Sequence, residues 1–276
     1  MRAAFAGQIR LRLREKRLMR ALVTGGAKRL GREMALYLAR AGHDVAVHYA
    51  TSAVEAEAVV AEIRGMGRQA VALQADLLDE AATVALIPAA VSGLGGPLTV
   101  LVNSASIFEY DNLHTATRNG WDRHIGSNLR APFLLIQGFA AQAPKAVPDA
   151  RGEPVAQALV VNMIDQRVWK LTPEFMTYTL AKSALWTLTR TAAQALAPNV
   201  RVNAIGPGPT VQGVRQTDAH FARQRAATIL QRGAGPADVV AAIGFFLDSP
   251  SVTGQMIAVD GGQHLGWQTP DVLGVE

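Results

Sequence analysis

Short runs of apolar residues alternate with longer amphipathic stretches from residue 21 to residue 259. The short runs are apolar at consecutive positions, which is typical of strands covered by helices on both faces. They predict seven strands, at residues 21–24, 44–49, 69–74, 98–102, 158–162, 200–205 and 256–259. The longer stretches, with apolar residues every three to four positions, predict helices at residues 29–41, 53–65, 80–91, 119–142, 175–197 and 237–247. This alternation predicts an α/β fold, a single doubly wound Rossmann domain with a seven-stranded parallel sheet and helices on both faces.

No linker or change of composition divides this series, so we assign residues 20–276 to one domain. The segment at about residues 208–235 is too long for a plain connection between two elements. We expect it to form a mobile loop over the substrate.

Positive charge is concentrated at the N-terminus. The chain has a formal net charge of +5, with 27 Lys and Arg residues against 22 Asp and Glu residues. Removing the seven basic residues and the single acidic residue of positions 1–20 leaves 20 basic and 21 acidic residues. Residues 1–19 are therefore predicted to be a basic, flexible extension. Apolar residues alternate with arginines at residues 9–14, so an additional edge strand is one alternative for this segment. An Arg-rich leader that resembles an organelle transit peptide is another.

Composition disfavours several classes of function. The chain has no cysteine, which excludes thiolate catalysis and Cys-ligated metal sites, and its six histidines have no ligand-like spacing, so we expect no metal. No apolar run is long and uninterrupted enough to predict a membrane span. The nearly neutral body predicts no nucleic-acid partner. Because no apolar segment follows the N-terminal charges, we expect no secretory signal and a cytoplasmic location.

A glycine-rich turn joins the first predicted strand to the first predicted helix. Gly25 and Gly31 permit a tight turn whose backbone N–H groups can approach a diphosphate at the helix N-terminus. Lys28 and Arg29 add positive charge at the same place. NAD-binding sheets carry a carboxylate at the tip of the second strand, where it binds the ribose 2′-hydroxyl. The corresponding residues 47–52 contain no Asp or Glu, which favours NADP over NAD.

Further motifs follow in a characteristic order: Thr24-Gly-Gly-Ala-Lys-Arg-Leu-Gly31, Asp76, Asn103-Ser-Ala-Ser106, Asn128, Tyr178-Thr-Leu-Ala-Lys182 and Gly206-Pro-Gly-Pro-Thr210. In this combination the chain resembles the short-chain dehydrogenase/reductase family over about residues 20–265. Within that family it is most similar to the pteridine reductase and dihydromonapterin reductase branch. The resemblance implies NADPH as cofactor and a homotetramer.

Tyr178 and Lys182 stand four residues apart in a predicted helix and therefore share one face. A cation beside a phenol favours the phenolate, so we expect Lys182 to lower the pKa of Tyr178 and make it a proton donor near neutral pH. The resemblance implies that this pair also binds the nicotinamide ribose. It further implies that Asn128 supports the lysine through a water relay.

Asp165 departs from the common family pattern, which has Ser thirteen residues before the tyrosine. A carboxylate is poorly suited to hold a neutral ketone oxygen, but it can protonate or pair with a ring nitrogen. This favours reduction of a C=N bond in a heterocycle, and the pteridine reductases carry Asp at the same spacing. A strand-end hydrogen-bonding role, or a catalytically weakened relative, remains the alternative.

The resemblance implies that Phe108 stacks the substrate ring against the nicotinamide, although simple packing is the alternative for an aromatic residue near a loop. It implies that Arg29, Ser106, Phe108, Asp165 and Tyr178 contact the substrate. It assigns cofactor contacts to Gly25, Lys28, Arg29, Leu30, His48, Tyr49, Ser52, Asp76, Leu77, Asn103, Ala105, Ser106, Tyr178, Lys182, Pro207, Gly208 and Thr210.

The predicted function is an NADPH-dependent reductase that transfers hydride to a C=N bond of dihydrobiopterin, dihydromonapterin, dihydrofolate or a similar dihydropterin. Two alternatives stay open: a carbonyl or 3-oxoacyl reductase of the same family, and a non-catalytic NADP-binding sensor. Trp267 stands where some protozoan pteridine reductases have an arginine that reaches a neighbouring subunit's pocket. The sequence therefore leaves the preferred pterin or folate open.

Overall fold

The computed structural model of the chain describes residues 19–213, 216–269 and 272. The predicted basic extension, including the possible strand at residues 9–14, lies outside these residues except for Met19. In chain order the strands are β1 (Met19–Val23), β2 (His43–Tyr49), β3 (Ala70–Gln74), β4 (Val100–Asn103), β5 (Val147–Pro148), β6 (Pro154–Val155), β7 (Ala158–Met163), β8 (Val200–Pro207) and β9 (Met256–Val259).

Seven of these strands form one sheet in the order β3-β2-β1-β4-β7-β8-β9, and every neighbouring pair is parallel. The predicted seven-stranded parallel sheet is confirmed, with strand ends that differ by at most two residues from the predicted ones. The short strands β5 and β6 pair with each other in an antiparallel hairpin. The chain reverses its direction of travel across the sheet between β1 and β4, which opens a crevice at the carboxyl ends of these strands.

The helices are α1 (Arg29–Arg40), α2 (Ala53–Gly65), α3 (Glu80–Gly93), α4 (Arg118–Ile125), α5 (Ala131–Gln142), α6 (Met176–Leu196), α7 (Asp218–Ala226) and α8 (Pro236–Asp248). One core is formed by apolar side chains of α1, α2 and α8, including Met34, Ile63 and Phe246. A second core contains α3, α5 and α6, with Leu86 and Phe139 among its buried side chains. Helices therefore cover both faces of the sheet, as the apolar strands predict.

The predicted helix at residues 119–142 is divided in the structure. A π-helical turn at Gly126–Arg130 separates α4 from α5, and Asn128 lies within it, fully buried. Pro132 follows in the first turn of α5. Proline has no backbone N–H to bond to the carbonyl of Asn128, four residues earlier, so regular α-helical bonding is interrupted here. The amphipathic pattern continues across the turn and does not reveal it.

Helix α7 lies inside the segment predicted as a loop at residues 208–235. The Thr217 side chain accepts a hydrogen bond of 3.2 Å from the backbone N–H of His220 and so begins the helix. None of the α7 residues is buried, so no apolar stripe marks the helix in the sequence. Among the helices within the described ranges, none is both long and apolar enough to cross a membrane.

Candidate active site

The glycine turn after β1 packs directly on the loop after β4. Gly25 has φ +64°, and a Cβ there would lie 3.0 Å from the Cα of Ala105. The hydroxyl of Thr24 accepts hydrogen bonds from the backbone N–H groups of Ser104 and Ala105, at 2.9 and 3.0 Å. A side chain at Gly31 would overlap the carbonyl of Gly25. Glycine is thus required for close packing, and the structure brings two predicted cofactor-binding backbones together at the crevice.

His48 binds the backbone of this turn. Its Nδ1 accepts a hydrogen bond of 3.1 Å from the Gly25 N–H, and its Nε2 lies 3.1 Å from the carbonyl oxygen of Ala75. A backbone N–H can only donate, so Nδ1 is unprotonated and Nε2 carries the proton. Burial lowers the pKa of His48, which keeps the ring neutral. The histidine therefore ties the glycine turn to the end of β3, and its polar atoms face the protein backbone.

The two basic residues of the turn have different partners. The Lys28 ammonium lies 2.7 Å from the carboxylate of Glu55 on α2, and both side chains are about half exposed. Arg29 has φ +52° and donates hydrogen bonds to the carbonyl oxygens of Val211 and Gln212, at 3.0 and 2.8 Å. Arg29 thereby bridges the glycine turn and the segment after β8, across the crevice.

The remaining predicted cofactor residues near β2 and β3 lie around the same edge of the sheet. Tyr49 ends β2, and Ser52 occupies the position before α2. The Asp76 carboxylate is exposed and accepts a hydrogen bond of 3.0 Å from the N–H of Leu78, while the neighbouring Leu77 is buried. Leu30, in the first turn of α1, is partly buried against the α1–α8 core.

Asn103 is buried at the end of β4 and links three elements. Its amide donates to the side-chain oxygen of Asn162 on β7 at 2.9 Å, and the Asn162 amide donates to the hydroxyl of Thr189 on α6 at 2.9 Å. These two hydrogen bonds join β4, β7 and α6. They fix the spacing of the strand that precedes Ser106 and the helix that carries Tyr178.

Asp165 and Tyr178 form a direct pair. The Tyr178 hydroxyl donates a hydrogen bond of 3.0 Å to Oδ2 of Asp165, while Oδ1 accepts one of 2.8 Å from the Arg167 N–H. Desolvation raises the pKa of Asp165, although these hydrogen bonds and the nearby positive charges oppose it. Desolvation and the neighbouring carboxylate raise the pKa of Tyr178 well above its ordinary value. The site therefore holds a protonated phenol against a carboxylate that takes up a proton more readily than usual.

Lys182 is buried and donates a hydrogen bond of 2.7 Å to the carbonyl oxygen of Met163. Burial lowers the pKa of its ammonium to about 8. The ammonium nitrogen lies 5.7 Å from the centroid of the Tyr178 ring. The expectation that Lys182 lowers the pKa of Tyr178 is wrong, because desolvation and the adjacent Asp165 carboxylate raise that pKa.

Asn128 holds the loop after β4. Its Oδ1 accepts a hydrogen bond of 2.9 Å from the N–H of Ile107, and its Nδ2 donates one of 2.8 Å to the Ile107 carbonyl oxygen. Both ends of the amide are therefore used on the residue before Phe108. The water relay to Lys182 stays a prediction.

Phe108 lies at the mouth of the site. Its ring centroid is 4.7 Å from that of Tyr178, edge to face, and 4.4 Å from that of Phe175, to which it is nearly parallel. The Phe108 side chain is 45% exposed. Phe175 precedes α6 with φ +54°, and the Arg167 guanidinium lies 5.1 Å from its ring centroid. Tyr178 thus contacts Phe108 on one side and Asp165 on the other.

The segment after β8 closes the other side of the crevice. A Cβ at Gly208 would lie 2.6 Å from the Cβ of Asp260, so this backbone also depends on glycine. Pro207 ends β8, and the buried Thr210 donates a hydrogen bond of 3.0 Å to the Gly208 carbonyl. Arg225 of α7 donates to the carbonyl oxygens of Pro209, Gly233 and Ala234. The Arg225 guanidinium therefore binds the backbone at both ends of the predicted substrate loop, residues 208–235.

Asp111, His124 and Thr177 form a hydrogen-bonded group beside the site, and none of them is among the predicted site residues. Their positions held a signal, since His124 stands one helical turn before Asn128 and Thr177 immediately precedes Tyr178. In the described part of the chain, no three His, Cys, Asp or Glu side chains are grouped to hold a metal ion.

The chain is similar to several known reductases. A family model described as Enoyl-(Acyl carrier protein) reductase matches residues 25–264. The chain is 33% identical over 250 residues to 3-oxoacyl-[acyl-carrier-protein] reductase FabG of Staphylococcus aureus, covering 89% of this chain and 98% of that protein. Two crystal structures of FolM alternative dihydrofolate reductase 1 with NADP are similar to it, each with a TM-score of 0.85. The Brucella canis protein is 43% identical, over 92% of this chain and 97% of that chain; the Brucella suis protein is 44% identical, over 92% and 98%.

Proposed function

The chain belongs to the short-chain dehydrogenase/reductase family, and we propose that it is an NADPH-dependent reductase of a dihydropterin or a closely related heterocycle. The observation that carries the proposal is the Asp165–Tyr178 pair, hydrogen-bonded at 3.0 Å, with the ring of Phe108 against Tyr178. A carboxylate, a phenol and an aromatic face thus meet at the carboxyl edge of the sheet, where α/β proteins bind ligands.

The residues of the crevice fit a dinucleotide with a 2′-phosphate. A Cβ at Gly25 would lie 3.0 Å from the Cα of Ala105, so the backbone of the glycine turn packs closely on the loop after β4 at the N-terminus of α1, where a diphosphate can be bound. No carboxylate lies at residues 47–52 to repel a phosphate, and Lys28 stands nearby on the adjoining turn. NADPH would supply the hydride for the substrate carbon. The NADP complexes of the two similar Brucella proteins support this choice of cofactor.

Asp165 is the residue that suits a ring nitrogen. Reduction of a C=N bond adds hydride to carbon and a proton to nitrogen, so the protein must deliver one proton. Desolvation raises the pKa of Asp165, so its carboxylate takes up a proton more readily than an ordinary aspartate does. The Tyr178 hydroxyl donates a hydrogen bond to the same carboxylate and so holds it in place for that transfer. When Asp165 is ionised, a neutral ketone oxygen would face a second acceptor at this position, which disfavours carbonyl substrates.

Phe108 supports a planar substrate. Its partly exposed ring can stack on a heterocycle that lies over the crevice, and such a stack contributes about 1 kcal/mol beyond the burial of apolar area. In the present structure the parallel ring of Phe175 covers this face of Phe108. We infer that a substrate ring enters by displacing that stack or by extending it at the exposed edge.

The test is a substrate panel with purified protein. We expect NADPH oxidation with dihydrobiopterin, dihydromonapterin or dihydrofolate, and much slower oxidation when NADH replaces NADPH. The similar Brucella proteins are alternative dihydrofolate reductases, which supports including dihydrofolate. Turnover of 3-oxoacyl thioesters alone would overturn the pterin proposal and leave the family assignment intact.

A carbonyl or 3-oxoacyl reductase is the second candidate, supported by the 33% identity to the Staphylococcus reductase. The two candidates respond differently at Asp165. The Asp165→Ser variant should lose dihydropterin turnover and gain any thioester turnover that a hydroxyl at this position permits. If the wild-type protein reduces 3-oxoacyl thioesters and Asp165→Ser reduces them more slowly, the second candidate is favoured.

A further inference from the structure

The loop that carries Phe108 is held on both sides of that residue by two side chains from one helical segment. Asn128 binds the backbone of Ile107, before Phe108. Four residues earlier, the buried His124 binds the backbone after it, because its Nε2 accepts a hydrogen bond of 3.1 Å from the Glu109 N–H. Residues four apart on a helix lie on one face, so both reach the same loop.

The second nitrogen of His124 leads to the helix that carries Tyr178. Its Nδ1 lies 2.6 Å from the Thr177 hydroxyl, and that hydroxyl in turn donates to Oδ2 of Asp111. The other carboxylate oxygen of Asp111 accepts a hydrogen bond of 3.1 Å from the Thr177 N–H. The Asp111 carbonyl accepts one of 2.7 Å from the N–H of Phe175. Asp111 therefore makes two hydrogen bonds to Thr177 in the first turn of α6 and one to Phe175, which precedes that turn.

The donors and acceptors of this hydrogen-bond network permit only one arrangement of its protons. The Glu109 N–H can only donate, so Nε2 of His124 is bare and Nδ1 carries the proton. Nδ1 donates to the Thr177 oxygen, which leaves the hydroxyl proton for the Asp111 carboxylate. A buried network in which every member is satisfied in one direction is rigid.

We propose that His124 is a positioning residue that sets the distance between the Phe108 and Tyr178 rings. It does so by joining the loop of Phe108 to the first turn of α6 through Thr177 and Asp111. The consequence for substrate binding rests on the proposed function, since a stacked heterocycle needs Phe108 at a fixed height over the site. The ion pair between Arg123 and the Glu109 carboxylate, at 2.8 Å, holds the same loop from outside.

One experiment tests the network without any substrate. Nitrogen NMR of the full-length protein, with the histidine signals assigned through a His124→Gln variant, reports which ring nitrogen carries the proton. We expect a neutral His124 with the proton on Nδ1 at neutral pH. Hydrogen exchange of the Glu109 amide should be faster in Thr177→Val and close to wild type in Thr177→Ser, which keeps the hydroxyl. A proton on Nε2, or equal exchange in the two variants, would overturn the proposal.

A second experiment tests the effect on substrate. Thr177→Val should raise KM for the dihydropterin about tenfold, the effect of losing one hydrogen bond to a charged network, while NADPH affinity changes less than about twofold. Thr177→Ser should restore KM. A parallel loss of NADPH affinity and kcat in Thr177→Val would indicate general damage and contradict a positioning role. If the unmodified protein reduces no dihydropterin, the proposed function fails, and the NMR result still decides the network.

Discussion

Lys182 donates a 2.7 Å hydrogen bond to the carbonyl oxygen of Met163, two residues before Asp165. The buried ammonium of α6 is thus tied to the end of β7, the strand that presents the acidic partner of Tyr178. This contact links the position of the lysine to that of Asp165. It also explains why the lysine stands away from the phenol, at 5.7 Å from the ring centroid.

Removal of the Asp165 charge tests the proton-delivery step. Asp165→Asn keeps the shape and one acceptor oxygen for Tyr178 but cannot carry a transferable proton. We expect kcat for dihydropterin to fall about 100-fold or more, the usual contribution of a general acid. NADPH affinity, followed by its fluorescence, should stay near wild type. Unchanged kcat in Asp165→Asn would show that Tyr178 alone delivers the proton.

The lowered pKa of Lys182 predicts an alkaline limit to cofactor capture. The value of kcat/KM for NADPH reports groups of the free enzyme, and it should fall as pH rises through about 8, where Lys182 loses its charge. Lys182→Arg, which stays charged, should move the limb to higher pH in whatever activity remains. If kcat/KM of the wild-type protein falls only near the ordinary lysine pKa, burial does not lower the pKa of Lys182.

The same shift predicts how stability depends on pH. The unfolded chain keeps the Lys182 proton up to its ordinary pKa of 10.5, whereas the folded protein loses it near 8. Between these values the unfolded state binds more protons, so this group makes the free energy of unfolding rise with pH. Chemical denaturation of wild type and Lys182→Met across this interval should show a difference in slope. Parallel curves would indicate that Lys182 titrates alike in both states.

Arg29 predicts the accessibility of the segment after β8. Arg29→Ala removes two hydrogen bonds to the carbonyls of Val211 and Gln212, so local opening of that segment should become easier. We expect cleavage by trypsin at Arg223 or Arg225 to be about tenfold faster, in line with the loss of about 1 kcal/mol or more. Arg32→Ala is the matched control, because Arg32 is a partly exposed arginine of the same helix that pairs with Glu33 and Glu62 instead. Equal cleavage of the two variants would exclude a role for Arg29 in holding the segment.

Ser52 tests the choice between NADP and NAD. It follows β2 where NAD-binding sheets carry a carboxylate, and no acid stands at residues 47–52. Ser52→Asp should raise KM for NADPH about tenfold or more by repelling the 2′-phosphate. Ser52→Asn, of similar size and uncharged, should have a small effect. If both variants bind NADPH as wild type does, the 2′-phosphate lies elsewhere.

Local patterns identify the elements well but not their interruptions. The strand at residues 256–259 and the helix at residues 53–65 agree with prediction at both ends, because apolar periodicity reports burial directly. The π turn around Asn128 and the exposed helix α7 escape prediction. The first keeps the amphipathic pattern, and the second has no buried side, so neither changes the periodicity.

The sequence by itself determined the seven parallel strands, which follow from periodicity, and the pairing of Tyr178 with Lys182 on one helix face, which follows from their spacing. The resemblance to a family added Asp165 and Phe108 as candidates. Only the tertiary structure decided the electrostatics of the site. The raised pKa of Tyr178 arises from burial and from a carboxylate thirteen residues away. Likewise, His124 joins Glu109 to Thr177, 53 residues further along the chain from the histidine. Desolvation and long-range hydrogen bonds depend on which segments the fold packs together, and no local pattern records that.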